Sequence, residues 1–193
     1  NRLTQTQWQT LLLARYINAL KEQKPQPILQ GEVGIAKYSY LADKLFQANS
    51  GFQYQQHNFG PYDPAISKRL ALRKYFKKTG DKKFKVYDLT KAGIKLIQGT
   101  NVDFSEADAA MEDLTEVFSK FKKGKAHKLE LMASVCWQME KLKSADSKKI
   151  WKGFKGWKIA GRKEKHKAEV FTEAEVKSCV NFIKQRKWNK KLI

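Results

Sequence analysis

Residues 60–90 have the sequence GPYDPAISKRLALRKYFKKTGDKKFKVYDLT, and the predicted fold follows from it. Asp63 followed by Pro64 is typical of a helix start, because an Asp side chain caps free backbone amides and proline fits the first helical position. A turn is expected at residues 79–81. Apolar residues then alternate with charged ones over residues 82–89, which indicates a strand. The stretch therefore predicts a helix followed by a short and strongly basic β element.

The elements around this stretch complete a small domain. Apolar residues recur at helical spacing over residues 8–20 and 35–47, which predicts two earlier helices. The glycine and prolines of residues 60–64 are expected to make a tight turn before the third helix. Thr90 is expected to cap a further helix that ends at Gly99. Three helices followed by a short basic strand or hairpin is the order of a winged-helix domain, which we place at residues 1–99.

The rest of the chain is predicted to be helical. Residues 100–104 form the expected boundary, and helical spacing continues over residues 105–122, 127–143, 147–154 and 172–187. Thr172, with Glu175 three residues later, is typical of a capping box. We therefore expect a mostly α protein with a small β wing, in which the winged-helix-like domain is followed by a basic helical domain at residues 105–193.

The distribution of charge points to a polyanionic partner. The chain has 193 residues and a formal net charge of +20. Residues 68–95 contain eleven Lys or Arg against two acids, and residues 145–193 contain fifteen against five. Residues 101–144 between them are nearly neutral. The basic runs lie in turns, short strands and Gly-rich stretches rather than on an amphipathic helix, and no apolar run of membrane-spanning length occurs. DNA or RNA is therefore favoured over a membrane.

Two sets of cations are predicted to contact nucleic-acid phosphates. The first set comprises Lys68, Arg69, Arg73, Lys74, Lys77, Lys78, Lys82, Lys83 and Lys85. The second set comprises Lys152, Lys155, Lys158, Arg162, Lys163, Lys165 and Lys167. Lysine outnumbers arginine in both sets. Because lysine acts as a point charge whereas arginine can read guanine through two bonds, contact with the backbone is favoured over base recognition.

Two alternatives stay open at this level. The third helix, which is predicted to carry Lys68, Arg69, Arg73 and Lys74, either enters the major groove or packs on a protein and leaves only the wing in solvent. Trp151 and Trp157 lie between cations, so they either stack on single-stranded bases or anchor the core.

No motif that carries catalytic chemistry is present. The histidines His57, His127 and His166 are far apart, and the sequence contains no P-loop, dinucleotide-binding or nucleophile-elbow pattern. The acidic residues at 106–116 are interpreted as a solvated helix face. The sequence therefore predicts no enzyme, no metal and no cofactor.

The two cysteines indicate the cellular compartment in which the protein is expected. Cys136 and Cys179 each lie in an apolar helical pattern, as expected for reduced core thiols in a cytoplasmic protein.

Several stretches resemble a known family. GIAKYSYLAD at residues 34–43 and HNFGPYDPAI at residues 57–66 resemble a prokaryotic winged-helix module, the accessory region of type I restriction–modification proteins that is often attached to the specificity subunit. The module is also similar to phage-associated and antitoxin-like winged helices. ELMASVCW at residues 130–137, and Trp157 and Phe171 before the last helix, follow the order of the same family. Gln138-Met139 stand where the family often has an Asn-Asp pair.

The resemblance implies a DNA-contacting accessory domain without catalytic residues, whose partners are duplex DNA and other restriction–modification subunits. Methylation, translocation and cleavage would then belong to other domains or subunits. The alternative is a protein-docking module, either antitoxin-like or for subunit assembly. That function would be accompanied by an exposed apolar patch around Phe59, Tyr62 or Trp151.

Overall fold

The computed structural model of the chain describes residues 2–22, 30–80, 85–120 and 124–193, and it divides into two compact units. Unit one comprises residues 1–55 and 62–126, and unit two comprises residues 56–61 and 127–193. The described residues are mostly helical with two small two-stranded sheets, so the predicted fold class, mostly α with a small β wing, is confirmed.

Helices and short strands are mixed in the first part of the chain, and helices alone follow in the second. The first part contains α1 (Gln5–Glu22), α2 (Glu32–Phe46), β1 (Gln55–His57), β2 (Gly60–Tyr62), α3 (Pro64–Leu70), β3 (Phe76–Gly80), β4 (Lys85–Leu89), α4 (Lys91–Gly99) and α5 (Ser105–Ser119). The second part contains α6 (Lys125–Leu142), α7 (Ser147–Gly156), α8 (Lys167–Val170), α9 (Glu173–Gln185) and a final 3-10 turn at Trp188–Lys191. No helix within these described ranges combines the length and apolar character needed to cross a bilayer.

Unit one is built on α1 and α2, which bury nearly continuous apolar surfaces. Helix α5 packs on α2, where the rings of Tyr38 and Phe118 meet edge to face with centroids 6.1 Å apart. Arg15 of α1 forms a bidentate ion pair with Asp108 of α5, with both N–O distances 2.7 Å. The sequence predicts a boundary at residues 100–104, but α5 belongs to unit one because its apolar face is buried on α2.

The predicted helix caps are present in the structure. The Asp63 carboxylate accepts a hydrogen bond from the Ala65 amide at 2.8 Å, and Pro64 is the first residue of α3. Thr90 caps α4 by accepting from the Gly93 amide at 3.1 Å. Thr172 and Glu175 form the predicted capping box at the start of α9. These local signals determine the starts of three helices because each depends on residues only two or three positions apart.

The wing is an antiparallel hairpin of β3 and β4, which pairs Phe76 with Leu89 and Gly80 with Lys85. The expectation of a strand over residues 82–89 is met by β4. The first strand, however, was not predicted, because the sequence indicates only a turn at residues 79–81. One face of the hairpin packs on the rest of unit one through the buried side chains of Phe76, Tyr87 and Leu89. Most lysines of the hairpin remain in solvent. Residues 81–84 lie outside the described residues.

Two further expectations about this region were wrong. Helix α3 ends at Leu70, so Arg73 and Lys74 lie in the following turn and not on a helix. The carbonyls of Lys74 and Tyr75 accept hydrogen bonds from the side chain and amide of Thr90, and this pairing with the start of α4 replaces helical bonding. Residues 60–62 form strand β2, paired with β1, instead of the expected tight turn.

Unit two is built around α6, whose residues are buried on nearly all sides from Leu129 to Met139. The packing is close, since a Cβ added at Gly153 of α7 would lie 2.4 Å from the Gln138 side-chain oxygen. Cys136 and Cys179 are both buried and free, as expected for core thiols. Burial raises the pKa of both thiols and keeps them protonated.

Candidate nucleic-acid interface

The first predicted set of cations is concentrated on one part of unit one. Six of its members are solvent-exposed and lie on α3, the turn after it, or the hairpin. We call these six residues the wing surface: Lys68, Arg73, Lys74, Lys77, Lys78 and Lys85. Arg69 differs from them, because it is half-buried and its Nε donates to the Gln9 side-chain oxygen at 3.1 Å. Lys82 and Lys83 lie outside the described residues.

The strand register determines how the wing lysines are presented. Lys77 stands opposite Asp88, and its Nζ lies 3.7 Å from an Asp88 oxygen, which Lys21 also approaches at 3.1 Å. Although burial opposes ionisation of Asp88, the Leu89 amide and the Lys21 ammonium hold the pKa of this carboxyl below its usual value. Lys78 stands opposite Tyr87, with its Nζ 5.4 Å from the ring centroid. Asp88 therefore partly offsets Lys77, whereas Lys78 carries its charge over an aromatic ring.

The wing surface carries little opposing charge. Over residues 68–80 and 85–89, seven Lys or Arg stand against one acid, Asp88. Helix α3 has seven residues, about two turns, and Lys68 is its single fully exposed cation. A helix this short, with one exposed cation, offers few side chains to base edges, whereas hairpin and turn lysines suit phosphate contact.

A groove opens beside the wing surface within unit one. Its volume is about 560 Å³. The buried side chains of Leu70, Phe76 and Tyr87 line it together with cations of the wing surface. Glu32 is the acidic residue among the lining side chains, and the Tyr62 hydroxyl donates to it at 2.6 Å. We call this feature the wing groove.

The second predicted set of cations divides into exposed and buried members. Lys152 and Lys155 on α7, and Lys158, Lys163 and Lys165 on the segment after it, are exposed. That segment, residues 158–166, folds back on itself through an antiparallel bridge between Lys158 and His166. The side-chain amide of Asn58 holds it in place by exchanging two hydrogen bonds with the Ala160 backbone at 2.7 and 3.1 Å.

Arg162 is a half-buried member of this set. Its guanidinium lies 3.7 Å from both Glu130 and Glu164 and covers the Phe59 ring at 4.8 Å from the centroid. Its charge is therefore largely engaged inside unit two. Phe59 keeps 38% of its surface exposed, but one face carries this guanidinium.

The structure contradicts the prediction for Lys167. This side chain has no exposed surface, and its Nζ donates to Glu130 at 2.5 Å between the rings of Trp157 and Phe171. Burial lowers the pKa of the ammonium group, while the ion pair opposes that shift. Lys167 is therefore a structural cation of the core and cannot reach a phosphate. Glu130, a charged residue in an otherwise apolar buried stretch, was the sequence signal that such a partner must exist.

Of the two tryptophans whose role the sequence leaves open, the structure decides that of Trp157. Trp157 is 1% exposed and its indole N–H donates to the His57 carbonyl at 3.1 Å, so it anchors the core and cannot stack on a base. Trp151 is half-buried, with the Lys155 ammonium 5.8 Å from its ring centroid. Tyr62 is also half-buried and bonded to Glu32, so of the three residues proposed for an apolar patch Phe59 alone is exposed, and one face of its ring carries the Arg162 guanidinium.

Side chains that could ligate a metal are dispersed through both units. Across residues 2–22, 30–80, 85–120 and 124–193, no three His, Cys, Asp or Glu side chains come together as possible ligands. His127 is engaged with Glu175 at 2.8 Å and lies against Phe171.

No protein-family model matches the chain, and no curated protein is significantly similar to it.

Proposed function

We propose that this chain is a non-catalytic DNA-binding module that grips the backbone of a duplex through the wing surface. The observation that carries the proposal is the exposure of six cations on a short helix, a turn and a two-stranded hairpin, with Asp88 as their one acidic neighbour along these segments. Such a surface attracts phosphates and gains free energy by releasing condensed counterions.

The composition of the wing surface favours backbone binding without base recognition. Five of its six members are lysines, which place a point charge near a phosphate but lack the planar fork that reads guanine. Arg73 is the exception, and it lies in a turn and not on a helix. Duplexes of unrelated sequence should therefore bind with similar affinities.

Unit two supplies a second set of cations for the same role. Lys152, Lys155, Lys158, Lys163 and Lys165 are exposed, and the last three are carried on a folded segment that is anchored at Asn58. These lysines support phosphate contact without a preferred sequence. The resemblance to restriction-associated winged helices suggests that the module acts in the cytoplasm within a restriction–modification or phage-defence protein, beside subunits that perform the chemistry.

Duplex binding of the full chain at several salt concentrations tests the proposal. The wing variant carries Lys77→Gln, Lys78→Gln and Lys85→Gln, which are exposed and contribute no apolar core. We expect affinity to fall by on the order of a hundredfold near 0.1 M salt, and the salt slope to fall by about 0.9 for each phosphate that is no longer neutralised. Fluorescence anisotropy with a labelled duplex gives both quantities.

A matched control separates direct phosphate binding from net charge. Lys120→Gln, Lys177→Gln and Lys184→Gln remove the same three charges from exposed positions at the end of α5 and on α9. The control variant should bind the duplex with a salt dependence close to that of the unmutated chain. The proposal would be overturned if duplex binding by the wing variant and by the unmutated chain had equal salt slopes. If the chain bound no DNA but bound a protein partner at high salt, a docking module would be favoured.

A further inference from the structure

Residues 157–167 of unit two form a second hairpin, which we call the unit-two hairpin. The Ile159 amide donates to the Lys165 carbonyl at 2.8 Å, and the Lys167 amide donates to the Trp157 carbonyl at 3.0 Å. These two bonds lie on either side of the antiparallel bridge, so the two arms are paired and a short loop joins them. Unit two therefore presents a folded β element at this place and not an irregular loop.

The arms of the unit-two hairpin end in the core. Trp157 is 1% exposed, Ile159 is 7% exposed, and Lys167 has no exposed surface. The Lys167 ammonium donates to the carboxylate of Glu130, a buried residue of α6. Because separating a buried ammonium from its carboxylate would leave both charges without compensation, this ion pair fixes the base of the hairpin.

The loop of the unit-two hairpin is held by side chains from outside it. The Asn58 side-chain amide donates to the Ala160 carbonyl at 2.7 Å and accepts from the Ala160 amide at 3.1 Å. The Arg162 guanidinium lies 3.7 Å from Glu130 and over the Phe59 ring. Glu130 thus contacts cations from both the base and the loop, and the position of the loop is determined before any partner binds.

The remaining cations of the hairpin point into solvent. Lys158, Lys163 and Lys165 are exposed, and Glu164, the one acidic residue among residues 157–167, lies 3.7 Å from Arg162. Lysines on a backbone that is already ordered contact phosphates at a lower cost than lysines on a loop that must become ordered on binding.

We propose that the unit-two hairpin is a second wing that contacts duplex phosphates, and that Asn58 and Glu130 are positioning residues that hold it in its binding geometry. This role rests on the proposed function for the identity of the partner, since it requires a duplex but does not require the wing surface. Neither Asn58 nor Glu130 contacts the DNA. Both act by ordering the loop in the free protein, so that binding does not incur that cost.

A double-mutant cycle on the full chain tests the role of Asn58, with fluorescence anisotropy of a labelled duplex at several salt concentrations. Lys163→Gln with Lys165→Gln should lower the salt slope by about 0.9 for each phosphate that is no longer neutralised. Asn58→Ala changes no charge. It should weaken binding about fivefold in the parent chain and less than about twofold in the chain that lacks both lysines. The matched control Asn181→Ala, which removes an exposed amide from α9, should leave the affinity unchanged.

Glu130→Gln is a second test, because its expected effect is opposite in sign to that of charge alone. Removing an acidic residue from a chain of net charge +20 should strengthen DNA binding, as we expect for Glu112→Gln on the exposed face of α5. In Glu130→Gln, however, Lys167 and Arg162 lose the carboxylate that joins the base of the hairpin to its loop. Glu130→Gln that is folded by circular dichroism should therefore bind the duplex about threefold more weakly.

The second wing would be overturned if Asn58→Ala had no effect, or had the same effect with and without Lys163 and Lys165. Stronger duplex binding by folded Glu130→Gln would overturn it as well. If the wing variant lost binding while the hairpin variants kept it, the proposed function would stand and the second wing would not. If the hairpin variants alone lost binding, the second wing would stand and the wing surface would not be the DNA contact.

Discussion

Lys167 and Glu130 form a buried ion pair in unit two, with Nζ and Oε1 2.5 Å apart. The ammonium group lies 5.1 Å from the Trp157 ring centroid and 5.7 Å from that of Phe171. Glu130 also lies 3.7 Å from Arg162, which connects the pair to the exposed segment over residues 158–166. A lysine that the sequence assigns to the DNA-binding surface is thus part of the support beneath it.

Removing Glu130 should be strongly destabilising. Glu130→Ala leaves the buried Lys167 charge without this partner, and we expect the free energy of unfolding to fall by about 3–5 kcal/mol. Replacing both partners by Glu130→Leu and Lys167→Met removes both buried charges and should cost less than half of that amount. Urea denaturation followed by circular dichroism measures both values. A loss below about 1 kcal/mol in the single variant would contradict the ion pair.

Ionisation of Glu175 should make the free energy of unfolding depend on pH in the acidic range. Although burial opposes its ionisation, hydrogen bonds from the Thr172 amide and from His127 hold the pKa of Glu175 below its usual value. A carboxyl with a lowered folded-state pKa contributes its stability above the unfolded-state pKa, which is about 4.3, and that stability is lost as pH falls through the lower folded-state value.

The variant Glu175→Gln isolates this contribution. It should be less stable than the parent chain by about 1 kcal/mol at pH 7, and the difference should shrink as pH falls below about 4. Thermal unfolding across this pH range gives the difference. A deficit that stays constant from neutral to acid pH would show that ionisation of Glu175 contributes nothing.

The close contact between α4 and the turn beneath the wing surface can be tested with two glycines on one helix. A Cβ at Gly93 would lie 2.3 Å from the Tyr75 carbonyl oxygen, whereas a Cβ at Gly99 would meet nothing within 4 Å. Gly93→Ala should therefore reduce the free energy of unfolding by about 1–3 kcal/mol, because a backbone carbonyl cannot move aside cheaply. Gly99→Ala should be neutral or stabilising by up to about 1 kcal/mol. Equal effects of the two substitutions in urea denaturation would refute this packing.

The elements that could be predicted from the sequence depend on neighbouring residues. Asp63, Thr90 and Thr172 each start a helix by contacting an amide two or three residues away, and the apolar spacing of α1, α2, α6 and α9 reflects their buried faces. Of the two hairpin strands, the sequence predicts only the second. Apolar and charged residues alternate clearly over residues 85–89, whereas two adjacent lysines in β3 obscure this pattern.

The features that sequence reasoning missed depend on distant partners. Helix α3 ends before Arg73, and the carbonyls of residues 74 and 75 instead accept hydrogen bonds from Thr90, sixteen and fifteen residues later in the chain. Lys167 is buried because Glu130 lies 37 residues away in sequence and against it in space. Glu32 lines the wing groove through the fold of unit one, and nothing in its local sequence marks it.

Amide chemical-shift mapping of the full chain with a short duplex shows whether the wing surface contacts the duplex backbone. We expect the largest changes at residues 73–78 and at Lys85, the same residues with a second duplex of unrelated sequence, and loss of these changes at high salt. Changes confined to other surfaces, or an absence of any change at low salt, would contradict a contact between the wing surface and the duplex.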